Sequence, residues 1–201
     1  MNKPFFLLFL RLKSFECMKL YNEEETLNQL RSSDVNLQKS AFEQVVSHYS
    51  EKLYYQIRKM VISHDDANDL LQNTFLKAWM NIGFFRGEAR LSTWLYKIAF
   101  NESITFLNRQ HAQNNMSLDE ADTFLTEKLE GDEYFDGDAL QLKLQKAILS
   151  LPDKQRAVFN MRYYDETPYE EMSKITGTSV GALKASYHHA VKKIEDFMNR
   201  D

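Results

Sequence analysis

Along residues 167–194, TPYEEMSKITGTSVGALKASYHHAVKKI, the side chains of Lys184, Ala185, His188, His189 and Lys192 fall away from the apolar positions. Cations and ring nitrogens on an otherwise small-residue surface suit contact with phosphates and base edges, which is recognition chemistry and not bond making. The chain shows no nucleophile paired with a base and no glycine-rich phosphate loop, so no catalytic residue is assigned and no small-molecule substrate is expected. The two adjacent histidines have no nearby cluster of Cys, His and acids, so no metal and no cofactor are expected either.

Two short helices must position that surface. Thr167 suits an N-cap, Pro168 suits the first helical position, and Thr167-x-x-Glu170 has the spacing of a capping box. Gly177 is the residue type that most cheaply takes the left-handed conformation ending a helix, and Thr178 or Ser179 can cap the next one. In that next helix Val180, Leu183, Tyr187, Val191 and Ile194 recur at spacings of three and four, forming one apolar stripe. A short helix, a glycine turn and a second helix with a lightly basic face predict a helix-turn-helix.

Composition sets the wider frame. In 201 residues, 43% hydrophobic and 13% aromatic content suffices for real cores, while 6 Gly and 3 Pro are too few for an all-β chain of many turns. The expected class is all-α. Cys17 is the single cysteine, which excludes internal disulfides and a CxxC zinc pair and fits a reducing, cytoplasmic setting. The net charge of -4 is unevenly spread: residues 1–39 carry 6 Lys+Arg against 5 Asp+Glu, residues 40–110 carry 8 against 7, residues 111–140 carry 1 against 9, and residues 141–201 carry 10 against 8. The excess acid is one stretch between two near-neutral segments. Neither is basic enough for tight DNA binding alone, because phosphate neutralisation dominates such affinity.

Taken from the N-terminus, the apolar run Phe5 to Leu10 is too short for a signal-peptide core or a membrane span. Residues 1–17 are expected to be a disordered extension or the product of an upstream misassigned start, with Met18 as the alternative beginning. Residues 1–37 together form an N-terminal extension, partly disordered. Residues 40–62 place Phe42, Val45, Val46, Tyr49, Leu53, Ile57 and Met60 on one helical face. Asp65 and Asp66 can cap a second helix whose apolar set is Leu70, Leu71, Phe75, Leu76, Trp79 and Ile82, with Asp69, Gln72, Asn73 and Lys77 on its other face. Residues 83–91, GFFRGEARL, read as a loop, after which Ser92 or Thr93 caps a third helix. Residues 111–139 lack apolar periodicity and read as an acidic flexible linker. Helices at 140–151 and 153–164 then precede the helix-turn-helix, and Leu144, Ile148, Leu151, Val158, Phe159, Met172, Ile175, Leu183 and Val191 can share one core.

On these residues the chain resembles the sigma-70 family of bacterial RNA polymerase sigma factors, in its extracytoplasmic-function group. Region 2 is matched by DDANDLLQNTFLKAW and FRGEARLSTWLYKIAFNESITFL, and region 4 by ILSLPDKQRAVFNMRYYDETPYEEMSKITGTSVGALKASYHHAVKKI. The resemblance implies a region 2 domain at 38–110, the linker at 111–139 and a region 4 domain at 140–201, with no region 3 between. It implies that Asp69, Gln72 and Asn73 dock on the clamp helices of the polymerase β′ subunit; the family more often has Glu at the position of Asn73. It implies that Phe85, Arg86, Arg90, Trp94, Tyr96 and Lys97 melt and hold the minus-10 element. That set combines flat side chains for stacking on unpaired bases with cations for the strand backbone. It also implies that Lys184, Ala185, His188 and His189 face the minus-35 major groove, with Ser179 and Lys192 near phosphates and region 4 on the β flap. The family commonly has arginine at Ser186 and His189, so a different sequence preference and weaker intrinsic binding are expected.

The resemblance further implies promoter DNA, core polymerase and an anti-sigma factor as partners, and a linker running toward the RNA exit channel. Two other classes remain in view. A free-standing helix-turn-helix regulator would bind DNA specifically without polymerase, and a helical adaptor would bind only protein.

Overall fold

The computed structural model describes residues 21–87, 89–113 and 138–200. The expected extension up to residue 20 and positions 114–137 of the expected linker lie outside the described residues. The chain divides into two compact units, residues 1–44 and 45–201. Within the described part of the first, α1 (Glu23–Leu30) starts at Asn22, whose side chain accepts a hydrogen bond from the Glu25 amide. Glu23, Glu24 and Glu25 fill its first turn, where negative charge complements the helix dipole. The first turn of α2 (Val35–Val61) is held by Asp34, whose Oδ1 accepts from the Asn36 amide at 2.8 Å.

In the second unit, Val45, Val46, Tyr49, Leu53, Ile57, Met60 and Val61 of α2 are buried at the expected helical spacing. Helix α3 (His64–Asn81) buries Leu70, Leu71, Phe75 and Ala78, and a short 3-10 turn, Ile82–Phe84, follows it. Helix α4 (Leu91–Gln113) lies against α3 and buries Leu91, Leu95, Ala99 and Leu107. After residue 137 come α5 (Ala139–Leu149), α6 (Asp153–Tyr163), α7 (Tyr169–Thr176) and α8 (Val180–Met198). Helix α8 packs on α5, α6 and α7 together. A single cluster results: Ala147, Ile148, Leu151, Phe159, Ala190 and Ile194, with Leu144, Tyr187 and Val191 around it. The described residues are helical throughout their regular elements, in line with the all-α expectation.

Several helix ends differ from the sequence-based expectation. Helix α3 is capped by Ser63, whose hydroxyl accepts from the Asp66 amide, and Asp65 and Asp66 sit in the first turn where they serve the dipole instead. Helix α4 starts at Leu91, so neither Ser92 nor Thr93 is its cap. The capping box at Thr167 does not form: α7 starts at Tyr169, after Pro168, with no side-chain cap bond. The physical reason is that the Thr167 amide is turned back onto the Met161 carbonyl at 2.9 Å, closing the α6–α7 connection. A capping box stands elsewhere, between Asp138 and Gln141 at the start of α5. Gly177 ends α7 at φ 72°, and Ser179 caps α8 by accepting from the Ala182 amide, both as the sequence predicts.

One helix end carries strain. Ile62 follows α2 at φ 65°, a conformation that costs a β-branched residue on the order of 1–2 kcal/mol and is ordinarily left to glycine. Its side chain is buried against Leu149 of α5, which offsets that cost. Leu183, at 0% exposure in the middle of the helix-turn-helix, is the residue whose truncation most directly opens the core that supports α8. Leu183→Ala is expected to lower stability by about 2–5 kcal/mol, read as an earlier urea midpoint, with secondary structure retained below it.

Candidate nucleic-acid interface

Three separate surfaces carry the expected functional residues. On α3, Asp69, Gln72 and Asn73 stand at spacings of three and four on the side opposite Leu70, Leu71 and Phe75. Asp69 and Asn73 are exposed and Gln72 is half-buried. The surface runs on to Lys77, whose ammonium reaches Glu102 of α4 at 2.5 Å and ties the two helices together. Beyond it Met80 is 73% exposed and Phe84 82% exposed. These two apolar side chains adjoin the loop before α4, and the sequence reading did not single them out. A lone methionine near a helix end carries no periodic signal, and Phe84 sits beside Phe85 with nothing in the sequence to say which ring is packed.

The loop answers that question. The Phe85 ring lies 5.1 Å from that of Trp94 at an interplanar angle of 43°, and both are half-buried. Gly87, at φ 76°, turns the chain where a side chain would be strained. Arg86 and Arg90 are exposed on either side of that turn, and Lys97 is exposed one turn further along α4 on the side of Trp94. Aromatic faces and cations are thus assembled together, which is what single-stranded nucleic acid requires. Tyr96 is not part of that assembly. Two positions from Trp94, it faces the other side of the helix and lines a cleft of about 430 Å³ with Tyr55, Gln56, Asp165, Pro168 and Glu171. Burial pushes its phenol up to about 12, and the carboxylates of Asp165 and Glu171 add to the rise.

On α8, Lys184, Ala185, His188, His189 and Lys192 are all exposed. Lys184, His188 and Lys192 follow one another at spacings of four, and Ala185 and His189 lie beside them; the rings of His188 and His189 are 5.9 Å apart. Ser179 is exposed at the N-terminal end, its hydroxyl already engaged as the cap. Tyr169 at the start of α7 gathers two cations, with Lys184 5.7 Å and Arg162 5.4 Å from its ring centroid. Arg162 therefore extends the basic face onto α6, which helical spacing within α8 could not reveal. Among the described residues no group of three or more His, Cys, Asp and Glu is arranged to hold a metal ion, and no helix is long and apolar enough to cross a membrane.

A helix-turn-helix beside a separate helical surface that gathers loop aromatics and cations is the architecture of a helical DNA-binding protein of transcription. Family models assign it further: residues 45–113 match sigma-70 region 2 and residues 141–194 match sigma-70 region 4. The chain belongs to the sigma-70 family of RNA polymerase sigma factors, non-enzymatic factors that direct the polymerase to promoters. It is 29% identical over 173 residues to the ECF RNA polymerase sigma factor SigW of Bacillus subtilis strain 168, an alignment covering 82% of this chain and 90% of that one. In fold it is similar to the sigma factor RpoE of Bartonella quintana, solved with the anti-sigma factor NepR, at TM-score 0.60 and 21% identity over 80% of this chain and 98% of that one. It is likewise similar to CnrH, solved with the cytosolic domain of CnrY, at TM-score 0.63 and 19% identity over 89% of this chain and 98% of that one.

The Tyr96 environment has a consequence for pH. A phenol held up near 12 keeps its proton in the fold while the unfolded chain, with tyrosine near 10, loses it, so the unfolded state binds fewer protons between these values. Stability from this group is complete below about pH 10 and falls as pH rises toward 12. Because Tyr96 keeps part of its exposure, a loss of about 1 kcal/mol is expected, after discounting for solvent screening. Urea midpoints taken from pH 9 to 11.5 are expected to fall less steeply for Tyr96→Phe than for the parent chain.

Proposed function

We propose that the chain holds core RNA polymerase and promoter DNA through separate surfaces. Asp69, Gln72 and Asn73 of α3 take the β′ clamp helices. Phe85, Arg86, Arg90, Trp94 and Lys97 take the unpaired minus-10 strand, and Lys184, Ala185, His188, His189, Ser179 and Lys192 take the minus-35 duplex. Tyr96 joins the minus-10 set once its cleft is opened. The observation that carries this reading is the pairing of Phe85 and Trp94 between exposed Arg86 and Arg90. A tilted aromatic pair with flanking cations suits the bases and backbone of single-stranded DNA, which a simple duplex-binding regulator does not need to hold. Region 2 and region 4 act as the two functional domains, at 38–110 and 140–201, and region 4 also meets the β flap.

Further partners follow from the same reading. An anti-sigma factor is proposed as the regulator, in keeping with the complexes of RpoE with NepR and of CnrH with CnrY. The working compartment is the cytoplasm, where core polymerase is found. His189 and Ser186 in place of arginine remove the bidentate contact to guanine, so the minus-35 sequence preferred here is expected to be less guanine-dependent.

Run-off transcription with purified core polymerase and a candidate promoter tests the whole reading, and a chain that never directs initiation would refute it. Two substitutions then separate the surfaces. Gln72→Ala is expected to weaken core binding, measured by fluorescence anisotropy, while Trp94→Ala leaves core binding in place and lowers open-complex formation by roughly 5- to 150-fold, the equivalent of one lost stacking contact at about 1–3 kcal/mol. Permanganate footprinting of unpaired thymines reads that second effect.

A further inference from the structure

The outer face of α8 carries two rings that the described residues leave unengaged. His188 and His189 are both exposed, their centroids 5.9 Å apart at an interplanar angle of 56°, and neither has a hydrogen-bond or ion-pair partner among the described residues. Lys184 and Lys192 stand one turn to either side of His188 on the same helix. The elements packed under α8 add more positive than negative charge. Helix α5 contributes Lys143 and Lys146, and α6 contributes Lys154 and Arg162, its Asp153 being paired with buried Arg156 at 2.7 Å. Helix α7 contributes Lys174, Glu170 and Glu171, the last already accepting from the Thr93 hydroxyl. Glu195 and Asp196 follow on α8, but they lie two turns further on, about 10 Å along the axis, beyond the ~8 Å over which exposed charges act at physiological salt.

Unlike the lysines beside them, these two side chains carry a charge that depends on pH. Histidine ordinarily changes its charge between pH 5 and 8, and a phosphate brought against an imidazole favours the protonated form. With no carboxylate bonded to either ring, the counter-charge for those protons has to come from outside the chain. We infer that the α8 face takes up protons when it takes the minus-35 duplex, so that promoter capture strengthens as pH falls from 7.5 to 6. The sign follows from linkage: the complex holds more protons than the free chain and free DNA together, so lowering the pH drives association. Each proton taken up also sets one more cation against a phosphate, which steepens the fall of log affinity with log salt by about 0.9. The inference rests on the assignment of α8 to the minus-35 duplex.

Equilibrium binding of the full chain with core polymerase to a labelled promoter fragment tests this, using a fragment that supports run-off transcription. Affinities are taken at constant ionic strength from pH 6 to 7.5 for that fragment and for a copy cut off before its minus-35 element. Effects of pH on the polymerase and on the minus-10 region cancel in the ratio of the two. That ratio should rise from pH 7.5 to pH 6 by roughly 4-fold if one ring takes up a proton and roughly 20-fold if both do, for protons held about tenfold more tightly in the complex. The double variant His188→Gln with His189→Gln should keep the ratio constant within twofold. The double variant His188→Lys with His189→Lys should also give a constant ratio, but with the steep salt dependence at both ends of the pH range. A parent ratio that does not change with pH, or one that changes equally in the glutamine variant, would overturn proton uptake by this pair. Equal affinity for the full and shortened fragments at every pH would instead refute the minus-35 assignment itself, and the inference with it.

Discussion

A guanidinium buried at the end of a helix sets the arrangement of the second unit. Removing Arg156 from water costs several kcal/mol unless its donors are met, and the chain meets both terminal nitrogens with Asp153 and two carbonyls, one from its own half and one from α2. The carbonyls at the end of α2 need donors as well, because the helix ends with Ile62 left-handed and no residue beyond it to continue the ladder. Each group supplies what the other lacks. Ile62, strained by about 1–2 kcal/mol, is tolerable there because Leu149 covers it. The position of α6, and through α6 that of α7 on α4, follows from this one junction.

The placement of cations explains how a chain with net charge -4 can be a DNA-binding protein. Several of its cations are gathered: Arg86, Arg90 and Lys97 near one aromatic pair, and Lys184 and Arg162 around Tyr169, with Lys192 further along α8. Affinity for DNA grows with the number of phosphates neutralised, and each of these groups can neutralise only a few. Under the proposed function, specific binding needs the sum of two promoter sites, brought together by a polymerase that the α3 surface would hold. In that reading the helix-turn-helix is a positioning element more than an independent DNA binder.

Much of this was legible in the residues. Gly177 and Ser179 mark the turn of the helix-turn-helix because each has one cheap local role there, and the apolar stripe of α8 fixes its inner face. The aromatic and cationic set before α4 could be named, yet its division could not: Trp94 and Tyr96 look alike in sequence, and only tertiary packing sends one to the Phe85 side and the other to the cleft with Asp165. Thr167 and Thr93 depart from the expected cap role for the same reason. Their local chemistry permits a cap, but the Thr167 amide closes a turn onto Met161 and the Thr93 hydroxyl meets Glu171, a partner 78 residues away. Met80, Phe84 and Arg162 join the candidate surfaces through exposure and neighbours that no periodicity encodes. The helix α1 went unforeseen because its eight residues are mostly polar and its signal is the Asn22 cap alone.

Separable grips are the core of this account, and titration of labelled full-length chain against core polymerase, with and without a promoter fragment, measures them most directly. For a chain with Lys184→Ala and His188→Ala together, polymerase affinity should stay within about twofold of the parent while promoter capture by the assembled complex falls by tenfold or more, as loss of two DNA-facing side chains requires. Parallel loss of both affinities would contradict the account, since it would make the helix-turn-helix part of the polymerase grip.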